Sequence, residues 1–272
     1  MEEAATKKVA VDGANAVAYK DWATSSSSSS SSSSDPLTLV LLPSLGDVKE
    51  EYRKLVDEAA VLHAFQRIVV CDLRGMGESD TSFSSYTPLD TGKDVVSLLE
   101  SLQLNNVVLC GNSMCAASVL YATMQVPGRV AGTVLLSPFA WDHDMPPGVS
   151  TLLHLLLNTC TGPGFWTTYY RSLYVAPGAV GDFDAYVAAL HKNLCEPGRM
   201  GALRGHVFGS KAPCVPDFAA LCDRPLAVIF GNKDPDFPSI EAEVSLFEKK
   251  LPQTAGKVVV LADVGHYPMV RM

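Results

Sequence analysis

The segment Val107-Val108-Leu109-Cys110-Gly111-Asn112-Ser113-Met114-Cys115-Ala116-Ala117 begins as an apolar β-type run and ends in the first turn of a helix whose pattern continues to residue 125. A serine on so sharp a strand-to-helix turn needs small neighbours, because strained backbone and close packing of helix on strand leave little space for side chains. Gly111, Cys115, Ala116 and Ala117 meet that need. The turn also aims the amide of Met114 and the helix N-terminus at one place, where negative charge developing on a bound oxygen is stabilised.

Outward from this segment the strand-then-helix pattern repeats. Residues 37–42 form a continuous apolar run ending at Pro43, as expected for a strand buried on both faces of a parallel sheet. Helical periodicity is read over 51–63 and 91–102, and strands over 67–71, 130–136, 226–230 and 257–261. Strands alternating with helices predict an α/β fold with a doubly wound, mostly parallel sheet, whose sites lie at the carboxyl ends of the strands. Ahead of it, the β-prone runs 9–11 and 17–19 flank Asp12-Gly13-Ala14-Asn15 and predict a hairpin. The ten serines at 25–34 offer no apolar surface to bury and are expected to be a disordered loop without a part in the chemistry.

Between Leu136 and Leu226 lie roughly ninety residues, more than one crossover needs. Short helices read over 149–157, 165–173, 183–194 and 200–207, broken by Pro-Gly and Gly-rich joints, give the expected division: core over 1–138, a helical cap over 139–223, and core again over 224–272.

With 272 residues, 47% hydrophobic and 18% charged, the chain suits one α/β domain carrying an insertion. A net charge of -8 gives no electrostatic footprint for nucleic acid or anionic lipid. The start MEEAATKKVAVDG lacks the pattern of a secretion signal, and the apolar run 149–157 is too short to span a bilayer, so a soluble, cytoplasmic protein is expected. Seven cysteines without zinc-like pairing read as reduced, mostly buried thiols. Neither disulfides, a metal nor a cofactor is expected.

Gly111-Asn112-Ser113-Met114-Cys115 resembles the G-x-S-x-G elbow of the α/β-hydrolase superfamily, with Cys115 in place of the final glycine. Cys71-Asp72-Leu73-Arg74-Gly75-Met76-Gly77-Glu78-Ser79 is similar to the family's D-x-R-G-x-G-x-S segment, where Asp72 and Arg74 are expected to tie loops together through a charge-assisted pair. Gly231-Asn232-Lys233-Asp234 resembles its G-x-x-D acid turn, with Asp236 and Asp142 as alternative acids. Val264-Gly265-His266-Tyr267-Pro268 is similar to its G-H-x-P loop. The order Ser, Asp, His, each after a strand, is the one the fold requires. The resemblance implies Ser113 as nucleophile, His266 as general base and Asp234 as the carboxylate that orients the histidine.

The family's His-Gly-x segment after the third strand is here Pro43-Ser44-Leu45-Gly46. A backbone amide at Leu45 can still join that of Met114 in an oxyanion hole, because the hole uses N–H groups and not side chains. The chain stops at Met272, six residues after His266, where members of the family continue into a final helix. Apolar sheet surface near the last strand is therefore expected to be exposed.

A serine nucleophile argues against the haloalkane dehalogenase and epoxide hydrolase readings, which need a carboxylate that forms an alkyl-enzyme ester. The resemblance implies hydrolysis of an ester-like bond in a small to medium hydrophobic substrate, with Trp166, Tyr169, Tyr170, Phe183 and Tyr186 available either to the cap's own core or to an apolar pocket. Carbon–carbon bond hydrolases, lyases and acyltransferases use the same triad, and a ligand-binding protein on a hydrolase scaffold is the alternative from another class.

Overall fold

The computed structural model describes residues 4–24, 36–175 and 181–270, so the serine tract 25–34 lies outside the described residues. Eight strands form one sheet in the order β1-β2-β4-β3-β5-β6-β7-β8. β1 (Lys7–Asp12) and β2 (Asn15–Ala23) make the expected hairpin, and β2 continues antiparallel onto β4 (Arg67–Cys71). Every other pairing is parallel, through β3 (Thr38–Leu42), β5 (Val107–Asn112), β6 (Val130–Leu136), β7 (Leu226–Gly231) and β8 (Val259–Leu261). β3 is buried at all five positions, which its uninterrupted apolar sequence makes favourable: each side chain loses water contact on one face or the other.

The strand order places the site. The chain leaves β3 for β4 on one side and then crosses to β5 on the other, so the loops after β3 and β5 diverge at a switch point while their strands stay paired, Leu42 opposite Gly111. Between the strands run α1 (Ala59–Ala64), α2 (Pro88–Ser101) and α3 (Cys115–Gln125). α2 starts three residues before the expected helix, at a capping box: Asp90 N–H donates to Thr87 Oγ1 at 3.2 Å, and Thr87 N–H donates to Asp90 Oδ2 at 3.1 Å.

The helix expected over 51–63 is not formed as one piece. It is two 3-10 turns, Lys49–Tyr52 and Leu55–Asp57, followed by the short α1. Tertiary bonds override the helical periodicity here: Lys49 N–H donates to Asp72, Glu51 accepts the amide of Ser44, and Tyr52 O–H donates to the carbonyl of Leu42. Asp72 and Arg74 do tie loops together, yet not to each other. Asp72 pairs with Lys49 at 2.9 Å, and Arg74 takes the Asp94 carboxylate in a bidentate pair at 2.7 and 2.6 Å. Sequence reasoning passed over α8 (Ile240–Lys250), whose signals were the Ser239 N-cap and lysines in its last turn.

Among the described residues, four α-helices separate β6 from β7: α4 (Val149–Leu156), α5 (Gly162–Ser172), α6 (Phe183–Leu194) and α7 (Arg199–Phe208). They dock on the loops at the carboxyl ends of the strands. Trp166 Nε1–H donates to the Gly46 carbonyl at 3.1 Å, Arg53 pairs with Asp182 at 2.7 Å, and Asn193 exchanges hydrogen bonds with the backbone of Gly77 at 3.1 and 2.9 Å. On the outermost strand β8, Val259 and Val260 are 46% and 44% exposed.

Gly111 is where helix and strand meet most closely. A Cβ there lies 2.5 Å from the backbone carbonyl oxygen of Cys115, which no side-chain rotation relieves. Gly111→Ala is therefore expected to cost roughly 1–3 kcal/mol of stability through overpacking. Urea denaturation reads this as a lower midpoint at unchanged slope, and an unchanged midpoint would refute this account of the elbow's packing.

Candidate active site

Ser113 sits at φ +55°, left-handed backbone that a non-glycine residue adopts at a cost of order 1–3 kcal/mol. Three backbone bonds hold it there. Its N–H donates to Leu136 at 2.9 Å, and its carbonyl accepts from Ala116 at 3.1 Å and from Phe139 at 3.0 Å. The turn thus lashes the end of β5 to the end of β6 and to the first turn of α3.

His266 lies on the loop after β8. That loop is seated against β7: Lys233 N–H donates to Val264 at 2.9 Å, and a Cβ on Gly231 would lie 2.2 Å from the Gly265 carbonyl oxygen, so only glycine lets the two segments approach this closely. His266 N–H also donates to Leu173 at 3.0 Å, just beyond α5. The imidazole, with its proton on Nδ1, donates to Asp234 Oδ2 at 2.7 Å. Both side chains are buried.

Of the three aspartates considered, Asp234 is the one hydrogen-bonded to His266. Asp236 Oδ2 stands off at 3.7 Å from the same nitrogen, and its two oxygens share the phenolic O–H of Tyr169 on α5 at 2.7 Å each. Asp142 is spent elsewhere, accepting from Ser210 Oγ at 2.5 Å and from Lys211 N–H at 2.8 Å. Burial works to lower the His266 pKa, but the charge and hydrogen bond of Asp234, with the charge of Asp236 added, outweigh it and hold the imidazole above its ordinary value. Burial raises the carboxyl of Asp236, against the pull of His266 and Tyr169.

Ser113, His266, Leu45 and Met114 line one cavity of about 260 Å³. The amide of Leu45, after β3, and that of Met114, after Ser113, have no hydrogen-bond partner among the described residues. No hydrogen bond joins Ser113 to His266 among them either, a common condition before a substrate tightens the site. The remaining wall is largely apolar, from Phe139, Leu153, Leu157 and Phe165, with Lys211 as its cation. Of the five aromatic residues weighed from sequence, Trp166 and Tyr169 face this cavity, whereas Tyr170, Phe183 and Tyr186 are buried among the helices of the insertion. Phe139, which stacks on Phe237 at 4.6 Å and flanks His266, carried no sequence signal.

Ligand atoms of Asp234, Asp236 and His266 lie within 4.8 Å of one another, close enough to hold a cation. Binding one through Nδ1 requires that nitrogen to give up the proton it donates to Asp234, so a metal and this hydrogen bond are mutually exclusive at the site.

The profile described as "Alpha/beta hydrolase family" matches residues 39–272. An epoxide hydrolase from Caballeronia sordidicola is 35% identical over 83 residues, 29% of this chain and only 25% of that protein's length. Among solved structures, a thermophilic esterase from Thermogutta terrifontis superposes with a TM-score of 0.74 at 21% identity, covering 98% of this chain and 93% of that one. A bromoperoxidase from Bacillus anthracis superposes at 0.75 and 17% identity, covering 97% and 93%. These structures share the fold, and the profile match extends from β3 through the elbow, the acid turn and the histidine loop: the chain belongs to the alpha/beta hydrolase family.

Proposed function

We propose that the protein is a serine hydrolase that cleaves an ester-like bond of a small to medium hydrophobic substrate through an acyl-enzyme on Ser113. The observation that carries this reading is the placement of Ser113, on a left-handed elbow, in the same cavity wall as a histidine bonded to Asp234 at 2.7 Å. His266 takes the Ser113 proton as the alkoxide attacks the carbonyl, then returns it to the leaving group, and water resolves the ester by the same path. Asp234 fixes the tautomer with Nδ1 protonated and stabilises the imidazolium as it forms. The amides of Leu45 and Met114 receive the oxyanion. In this reading α4 to α7 act as a cap whose apolar wall selects hydrophobic groups. The partial match to an epoxide hydrolase does not carry that reaction here, since the elbow position holds a serine and not the carboxylate that opens an epoxide.

A fluorophosphonate probe is expected to label the wild-type protein at one site and to leave Ser113→Ala unlabelled. Labelling of the mutant at a similar rate would remove Ser113 from the mechanism.

The acids are separated by mutation and pH together. Asp234→Asn is expected to lose about 10⁴ in turnover of an activated ester, the size of the effect when the orienting acid becomes an amide in a related triad. Asp236→Asn and Asp142→Asn should stay within about tenfold of wild type. The base must be neutral to accept a proton, so kcat/KM falls as pH drops through the raised pKa of His266, above the ordinary value of about 6.5. Removing the Asp236 charge moves that acid limb to lower pH. A limb that stays in place in Asp236→Asn, or a collapse of Asp142→Asn instead of Asp234→Asn, contradicts the assignment.

A further inference from the structure

The two amides of the proposed oxyanion hole belong to different loops. Leu45 follows β3 and Met114 follows β5, and both loops depart from regular backbone, at Gly46 (φ +70°) and Ser113 (φ +55°). An oxyanion hole works only if its donors keep a fixed spacing. One side chain bridges these loops. Glu51, 1% exposed in the 3-10 turn Lys49–Tyr52, accepts the Ser44 N–H on Oε2 at 2.7 Å and the Asn112 side-chain amide on Oε1 at 3.0 Å. Ser44 directly precedes Leu45, and Asn112 directly precedes Ser113. The turn that carries Glu51 is itself pinned, by Tyr52 O–H on the Leu42 carbonyl at 2.7 Å and by Lys49 on Asp72 at 2.9 Å.

A buried carboxylate needs a counter-charge, and no lysine or arginine pairs with Glu51 among the described residues. Its neighbour is a second acid. Asp47 is fully buried, lies within hydrogen-bonding reach of Glu51, accepts Val48 N–H at 2.8 Å and the Tyr186 O–H on Oδ1, and has no donor for Oδ2. Two carboxyl groups in a dry site cannot both ionise, and one proton between them supplies the missing donor.

We infer that Glu51, neutralised by a proton it shares with Asp47, is the positioning residue that holds the Leu45 and Met114 amides at their working separation. This rests on the serine hydrolase reading above. Asp47 carries the tie onward to the insertion through Tyr186 on α6, whose ring lies 3.9 Å under the Arg53 guanidinium. The groups that face the pair keep one charge state through the neutral range. Burial pushes up the phenols of Tyr186, Tyr170 and Tyr174 in the insertion and of Tyr267 on the histidine loop. On the sheet side it does the same to the Tyr52 phenol and to the thiols of Cys115 and Cys110, the last to about 12. Arg53 is held charged by Asp182 despite its partial burial. The pair is what titrates.

Burial raises both carboxyl groups, Glu51 further because Asp47 lies beside it. A raised folded-state pKa contributes stability that is full below the ordinary carboxylate range and is lost as pH rises through the shifted value. Above that value the proton is gone, no donor remains between the two carboxylates, and their repulsion pushes Glu51 away from Asp47 and out of its place between the two loops. Turnover should therefore fall as pH rises through that shifted value.

In Glu51→Gln only one acceptor oxygen is left for the Ser44 N–H and the Asn112 amide, so the bridge is kept only if the Asn112 amide turns over to present Oδ1, and the carboxyl proton is lost in either case. With rates normalised to active sites titrated by fluorophosphonate, kcat is expected to fall about 10- to 100-fold while KM stays within about twofold, the pattern of a weakened oxyanion hole. A merely structural role would lower the number of titratable sites and leave kcat per site unchanged. Should Glu51→Gln fail to fold, Asn112→Ala, which removes one end of the bridge, is expected to split kcat from KM in the same direction. Asp47→Asn, with a permanent donor to Glu51, should lack the wild type's fall in turnover with rising pH. Infrared spectroscopy reads the proton without any substrate: a neutral-carboxyl band persisting above the ordinary carboxylate range in the wild type, and changed in frequency in Glu51→Gln and in Asp47→Asn, where burial still acts on the carboxyl that remains. No such band, or an unchanged kcat in Glu51→Gln, overturns the inference. A band in a wild-type protein that neither labels nor turns over esters overturns the oxyanion role together with the hydrolase reading, and leaves the proton pair standing alone.

Discussion

The adjacency of β3 and β5 is the constraint from which the site follows. Because the chain crosses from β4 to the far side of β3, two loops that are about seventy residues apart in sequence emerge side by side at the carboxyl edge of the sheet. One ends in a left-handed serine, the other in a free amide at Leu45. Backbone strain at Ser113 persists because Leu136, Ala116 and Phe139 over-determine it, and Gly111 lets α3 close down on the strand behind it. Loosening either the packing or the bonds would let the turn relax toward ordinary backbone and swing the hydroxyl out of the cavity.

The electrostatics are divided between two pairs of acids with different tasks. Asp234 and Asp236 both lie near His266, but only Asp234 bonds it, while Asp236 is held off by Tyr169. The Tyr169 contact links α5 to the acid turn, so the insertion and the histidine's environment are mechanically connected. Asp47 and Glu51 sit beneath the other side of the site, where no lysine or arginine pairs with either among the described residues, and reach the insertion through Tyr186. Each pair thus joins a chemical group of the core to a helix above it. The insertion is accordingly built into the site's polar framework as well as its apolar wall.

Much of this was legible in the sequence because the local rules and the global fold agree. The apolar run at β3, the small residues around Ser113 and the order of the three motif-bearing loops all follow from what a parallel sheet and a tight elbow permit. Where sequence reasoning failed, tertiary contacts had overruled a local pattern. The periodicity over 51–63 pointed to a helix, but Glu51 and Tyr52 face inward to brace the loops after β3 and β5, and the backbone bends into 3-10 turns to let them. Asp72 and Arg74 tie loops together, but not through the mutual pair the motif suggests: their partners, Lys49 and Asp94, lie 23 and 20 residues away and carry no local signature. The cavity residue Phe139 was invisible for the same reason: nothing in a lone phenylalanine after a strand tells which way it will pack. The Asp236 stand-off could not be foreseen without Tyr169, 67 residues upstream.

The account's central claim is that one point in the cavity is reached at once by the Ser113 hydroxyl, the His266 imidazole and the amides of Leu45 and Met114. A crystal structure of the protein after reaction with a small alkyl phosphonate tests it directly. The account predicts phosphorus bonded to Ser113 Oγ, with its non-bridging oxygen about 2.7–3.1 Å from both amide nitrogens and His266 within hydrogen-bonding distance of Ser113. An adduct on another residue, or a phosphoryl oxygen turned away from Leu45 and Met114, would contradict it.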